Sequence, residues 1–226
     1  MRLVFSGLER ALLLESGVAC TLQVEQPALY ARLIQSLASG EGRYAIEPYA
    51  FWNDEKEIAP KDALLVVIDP FSLPWDDRAL TGQIFKKLES EMVADEDARL
   101  LIEQIEEELV TRLISLTGGL SADYSFEAEW DLTKSLKMLG FGAAPASDSR
   151  LVDNLIAFLS FALDAGFKRC IAFVNLRTFL TEKEFQLLLA HVFYTKLNVL
   201  FLENKIDTEK HEYERKYTID QDFLEY

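Results

Sequence analysis

The sequence predicts an α/β fold: a discontinuous α/β head interrupted by an inserted α-helical leg. Three observations carry this. Cys170–Val174 and Val199–Leu202 are short, nearly continuous apolar runs, the pattern of strands buried on both faces. Between them, Thr181-Glu182-Lys183-Glu184 has the spacing of a capping box, and Phe185, Leu188, Leu189 and Val192 then recur at helical spacing. Strand, capped helix, strand implies a parallel pair joined by a crossover. Third, the stretch from Asp95 to about Leu116 is one long amphipathic helix, closed by Gly118-Gly119 and distant in pattern from the strand-rich ends.

The remaining elements follow in order. Leu3–Phe5, Leu12–Leu14 and Thr21–Val24 read as short strands. Pro27 opens a helix at a favourable first-turn position, with Leu29, Leu33, Ile34 and Leu37 on one face, and Gly40-Glu41-Gly42 ends it. Tyr44–Phe51 is expected to be another strand, and Leu64–Ile68 a buried strand ending at Asp69-Pro70. A loop to Asp77 precedes a helix carrying Leu80, Ile84 and Leu88. In the long helix, Leu101, Ile105, Leu109, Val110, Leu113 and Leu116 mark the apolar face. Trp130–Leu139 is a further helix closed by Gly140, and Arg150–Ala165 another, with Leu151, Leu155, Phe158, Leu159 and Ala162 along one side. The segment 204–226 is polar: its 205–216 stretch alternates in sign as a helix or a mobile loop, and Tyr217–Ile219 is expected to close an edge. A solvated surface is its default reading. The head is thus residues 1–90 with 150–226, and the leg 91–149.

Composition bounds the function. Among 226 residues, 50% are hydrophobic and 12% aromatic, which excludes a disordered chain. No apolar run reaches membrane-span length, and Glu9 and Glu15 interrupt any signal-peptide core. Cys20 and Cys170 both fall in expected buried strands and read as small core residues, consistent with a reducing cytoplasm. The net charge of −15 opposes simple nucleic-acid binding. It is uneven, however. Residues 89–131 hold thirteen acidic side chains against Arg99 and Arg112, so the rest of the chain is close to balance and leaves room for a basic surface.

Several motifs carry a family likeness: Ile171-Ala-Phe-Val-Asn175, Phe179-Leu-Thr-Glu-Lys-Glu184, Asn198-Val-Leu-Phe-Leu-Glu203, Leu64-Leu-Val-Val-Ile-Asp69, Leu88-Glu-Ser90, Lys137-Met-Leu-Gly140 with Ser147-Asp148, and Met1-Arg-Leu-Val-Phe-Ser6. In order and spacing the chain resembles the accessory adaptation protein of type II-A CRISPR systems (the CRISPR-associated Csn family, short form). The likeness is loose between Gly7 and Ala63. It implies a ring-forming homotetramer that binds ends of double-stranded DNA without regard to sequence. It also implies an ATPase-like head that lacks the phosphate loop, calcium bound by acids of the leg, and a role in spacer acquisition beside the CRISPR integrase complex and the type II-A effector nuclease.

Each candidate chemistry has a bland counterpart. Asp69 and Glu203 end apolar strands as the magnesium-holding acid of phosphate-loop ATPases does, but the chain has no Gly-Lys pair to cradle phosphates. The plain reading is that buried strands end at exposed acids. His191 reads as structural and His211 as part of the charged tail. No Gly-x-Ser-x-Gly elbow and no Cys/His cluster is present, so no catalytic residue is assigned and the expectation is a non-enzyme. Asp123, Glu127, Glu129 and Asp131 read on their own as an acidic solvated surface; the resemblance sets hard-oxygen calcium ligands level with that reading. Lys86, Lys87, Lys134, Lys137, Arg78 and Arg150 are the candidate DNA contacts, Lys137 by its match to the family's Lys-x-Leu-Gly pattern. Trp52, Trp75 and Trp130 are either interface anchors or core. Two other functions stay open: a metal-dependent nuclease or degenerate nucleotide hydrolase built on Asp69, Glu203 and the 123–131 acids, and a protein-interaction adaptor whose acidic leg docks basic partners without binding DNA.

Overall fold

The computed structural model describes residues 1–122, 124, 131–145 and 148–225. In chain order the strands are β1 (Arg2–Phe5), β2 (Leu12–Leu13), β3 (Ala19–Val24), β4 (Tyr49–Asn53), β5 (Lys56–Ile58), β6 (Leu64–Val67), β7 (Cys170–Val174), β8 (Asn198–Glu203) and β9 (Glu214–Ile219). The helices are α1 (Pro27–Ser39), α2 (Pro60–Ala63), α3 (Arg78–Ala94), α4 (Glu96–Thr117), α5 (Leu132–Met138), α6 (Leu151–Asp164) and α7 (Glu182–Thr195). Two 3-10 turns, Gly42–Tyr44 and Leu176–Phe179, complete the elements among the described residues. The chain forms two compact units, Met1–Trp75 with Pro145–Tyr226, and Asp76–Ala144.

The first unit is mixed α/β. A parallel sheet runs in the order β6-β7-β8-β3-β9, and a smaller antiparallel sheet in the order β2-β1-β4-β5. The β7–α7–β8 crossover is the one the sequence predicts, with Ile171 opposite Val199 and Phe173 opposite Phe201. Its helix starts at the capping box: Thr181 accepts from Glu184 N–H, and Glu184 Oε2 accepts from Thr181 N–H at 2.9 Å. The strand pleat divides the core into two layers. Cys20, Leu22, Val24, Cys170, Ala172, Leu200 and Leu202 pack with the antiparallel sheet (Leu3, Phe5, Phe51) and with Leu29, Leu33 and Leu37 of α1. On the opposite face, Phe201 meets Phe185 of α7 at 5.3 Å between rings. α6 supplies Val152, Leu155, Phe158 and Ala162 to the core, and Trp75 packs edge-on to Phe158. Trp75 is thus half-buried against α6.

α1 opens with Pro27 after Gln26, whose side chain caps Leu29 N–H, and ends at Gly40 in the left-handed region (φ 69°), where a side chain would be strained. Three expectations need correction. Tyr44–Phe51 is not one strand. Gly42 (φ 59°) starts a 3-10 turn, Pro48 offers no N–H for pairing, and only Tyr49 onward joins the antiparallel sheet. The segment 204–226 is not a uniformly solvated tail: β9 runs from Glu214, pairs parallel with β3, and buries Ile219. Glu203 is not an exposed strand-end acid but 4% exposed, whereas Asp69 is exposed as expected.

The second unit is helical. Asp95 ends α3 and caps α4, its Oδ1 accepting from Ala98 N–H at 3.0 Å. α5 lies along α3: Thr133 bonds Glu89, the Phe85 and Phe141 rings are 6.3 Å apart, and the Lys137 ammonium sits 5.5 Å over the Phe85 ring. No residue of α4 is buried, and Leu101, Ile105, Leu109 and Leu116 are each more than half exposed. The apolar stripe the sequence predicts is present and, among the described residues of this unit, largely uncovered, with Val110 half-buried. No helix among the described residues is long and apolar enough to cross a membrane.

Candidate functional site

Five of the six candidate basic residues lie in the helical unit. Arg78, Lys86 and Lys87 are on α3, Lys134 and Lys137 on α5, and all are exposed. Arg78, Lys86 and Lys87 have no ion-pair partner among the described residues. Lys134 leans on Asp131 at 3.6 Å, weakly and at the surface. Successive helical residues are about 100° apart. Phe85 and Glu89 face α5, so Lys86 stands to the side and Lys87 points away from it. The structure thus joins Lys86 with Lys137 about one helix pair and separates Lys87 from them. Arg150 belongs to the first unit and is held by Asp153 through two hydrogen bonds of 2.9 and 3.0 Å, which occupy its guanidinium face.

Of the candidate calcium ligands, Asp123, Glu127 and Glu129 lie outside the described residues, as does Trp130. Asp131 is the N-cap of α5: its Oδ1 accepts from Lys134 N–H at 2.7 Å. That bond, with the neighbouring Lys134 charge, holds its carboxyl below the usual range. The group is therefore ionised, as a hard cation requires, and among the described residues Oδ2 meets the ammonium of Lys134 at 3.6 Å.

The acids proposed for nucleotide chemistry are not brought together. Asp69 closes a turn, its Oδ1 accepting from Phe71 N–H at 2.9 Å. Glu203 ends β8, and β7 lies between β6 and β8, two strand spacings of about 4.8 Å each. Glu203 accepts from Arg177 N–H at 3.0 Å. Burial raises its carboxyl to about 7 despite that bond and the Arg177 charge. His191 is half-buried against Ser160 Oγ at 3.2 Å, and burial lowers its imidazole below the ordinary value, in keeping with a structural role.

One polar constellation was not anticipated. Beyond β8, Arg177, Glu182, Asp207, Glu209, His211, Glu214 and Lys216 gather over Thr21 and Gln23 of β3, beside a cleft of about 290 Å³. The His211 side chain is only 5% exposed, contrary to its reading as a surface residue. The alternating charges of 205–216 concealed this, because Arg177, nearly thirty residues away in sequence, is what lets them turn inward.

Three comparisons bear on identity. The family model described as CRISPR-associated protein (Cas_Csn2) matches residues 46–223. The "CRISPR-associated protein Csn2" of Enterococcus faecalis is 23% identical over 216 residues, covering 94% of each chain. The crystal structure of Stu0660 of Streptococcus thermophilus superposes with a TM-score of 0.60 at 14% identity, over 97% of this chain and 74% of that one, which shows a shared fold. The family match spans most of both the parallel-sheet unit and the helical unit, and on that ground the chain belongs to the CRISPR-associated Csn2 family.

Proposed function

We propose that the chain acts in CRISPR adaptation as a non-catalytic, ring-forming homotetramer that holds ends of double-stranded DNA during spacer acquisition, in the cytoplasm. Beyond family membership, the observation that carries this reading is the exposure of largely unpaired lysines and an arginine along α3 and α5, with Lys86 and Lys137 about one helix pair. Such residues bind phosphate and duplex shape without reading bases. A closed ring repeats each inward lysine once per subunit, which offsets a chain charge of −15 at the hole. The uncovered apolar stripe of α4 supports assembly with further copies. The ionised Asp131, with Asp123, Glu127 and Glu129 just upstream, supports a calcium ion bracing the 91–149 leg. The all-parallel sheet supports an ATPase-like core, and the missing Gly-Lys pair supports the loss of nucleotide chemistry. The integrase complex and the effector nuclease are the partners this role implies.

The test is binding to linear and closed-circular duplex of the same sequence, with calcium and with chelator, across a salt series. Preference for linear DNA, a steep salt slope and loss on chelation are expected. Equal binding to both topologies refutes end entry. No binding at low salt in any condition refutes DNA binding and favours the adaptor. Hydrolysis of ATP or DNA that Asp69→Ala abolishes refutes the non-catalytic reading.

A further inference from the structure

The geometry points to a second metal centre, unrelated to the leg acids: a transition-metal site of the zinc class, formed by His211 with Glu182 and Glu209 and supported by Glu214. One ligand atom from each of Glu182, Glu209 and His211 lies within 4.8 Å of the others. His211 Nδ1 is 3.3 Å from Glu182 Oε1, the edge length expected between two ligands of a tetrahedral ion with bonds of about 2.0–2.1 Å.

A cluster of acids alone would mean little; the buried His211 imidazole gives it direction. His211 Nε2 and Glu214 Oε2 are both buried without a hydrogen-bond partner among the described residues, on side chains 5% and 1% exposed. They stand 3.9 Å apart; Asp207 Oδ2 is as far from Nε2, and the Lys216 ammonium lies 3.5 Å from Glu214 Oε2. A buried ring nitrogen left without a hydrogen bond is costly. Metal at Nδ1 fixes the proton on Nε2 and aims it at Glu214 Oε2, the carboxylate–histidine–metal relay in which an outer acid orients the ligand ring. A small shift of the imidazole then satisfies both atoms at once.

The surroundings fit. Arg177 bonds the Oε2 oxygen of Glu182 and lies 3.8 Å from that of Glu209, which leaves Glu182 Oε1 on the histidine side. Gln186 Nε2 donates to Glu182 Oε1 at 2.7 Å and steadies that oxygen. Glu182, Asp207, Glu209 and Glu214 face two permanent cations, Arg177 and Lys216, an excess of acid that a divalent ion offsets. Glu209 is exposed and gives the ion a way in. An imidazole ligand selects zinc, cobalt or nickel over calcium and magnesium. The centre would pin the 204–213 connection onto the start of α7 and close the polar side of β3.

The experiment is a titration of the full chain with cobalt(II), followed by its visible absorption, and with zinc(II) by calorimetry, both in excess calcium. One saturable site per chain is expected, with tetrahedral cobalt bands that calcium does not displace. His211→Ala should lower affinity at least tenfold, and Glu214→Gln by about 10- to 100-fold. If His211→Ala does not fold, the exposed Glu209→Gln reports the same loss without disturbing the core. Zinc should raise the melting temperature of the wild type but not of these variants. Absence of saturable binding, displacement by calcium, or unchanged affinity in both His211→Ala and Glu209→Gln overturns the assignment. None of these outcomes depends on whether the protein binds DNA.

Discussion

Replacing Glu203 by glutamine should reshape the pH dependence of stability. The carboxyl closes β8 inside the first unit and accepts Arg177 N–H at 3.0 Å. Burial moves it from 4.5 to about 7, against the Arg177 and Leu176 amides and the Arg177 charge. The folded-state value lies above the unfolded one. Its contribution to stability is therefore complete below about pH 4.5 and is lost as pH rises through 7. Each unit of difference is worth about 1.4 kcal/mol, so about 3 kcal/mol disappears across that window. For a chain of this size the loss is about 6–12 °C in melting temperature. Glutamine keeps the acceptor oxygen and never ionises. Thermal unfolding followed by circular dichroism from about pH 5 to pH 8 should show the two proteins converging at the acid end. At the alkaline end the variant should melt higher by most of that interval. Parallel curves for the two proteins at every pH would refute the buried-acid argument.

Three further outcomes are expected. Thr181→Ala removes the hydroxyl that accepts from Glu184 N–H, and urea titration should show a loss of about 1 kcal/mol. Phe201→Ala opens a void between Phe173 and Phe185 at the centre of the sheet and should cost about 3–5 kcal/mol by the same measurement. Lys137→Ala should flatten the plot of log affinity for linear DNA against log salt by about 0.9 for each phosphate no longer neutralised, hence by about 3.6 if the proposed tetramer forms, while leaving the melting temperature within about 1 °C; an unchanged slope removes Lys137 from the interface.

The crossover was legible because its signals are local and agree with one another. The Thr181 box, the Phe185 stripe and two apolar runs all demand strand, helix, strand. Tyr44–Phe51 misled because apolar content reports burial but not pairing, and the left-handed Gly42 and the missing amide of Pro48 decide where pairing begins. The candidate lysines could be named from charge type alone, yet which of them share a side of a helix pair depends on how α5 meets α3 at Phe85. His211 was invisible for a different reason. A histidine among alternating charges reads as solvated, and only the distant Arg177 and the Thr21 face of β3 supply the partners that turn the segment inward. A sequence window cannot register a partner nearly two hundred positions away.

The placement of β3 has a consequence for how the chain acquires its fold. All six of its residues are buried, yet both of its neighbours come from the far end of the sequence: Cys20 sits opposite Leu200 on one side and Arg215 on the other. During synthesis, then, a strand destined for full burial waits with both edges open while the helical unit is made. The antiparallel sheet needs no residue beyond Ile58, so it can form early and shield one face. The edges themselves stay unpaired until β8 and β9 arrive, an arrangement of high contact order that slows folding and leaves nascent chains open to strand-edge aggregation.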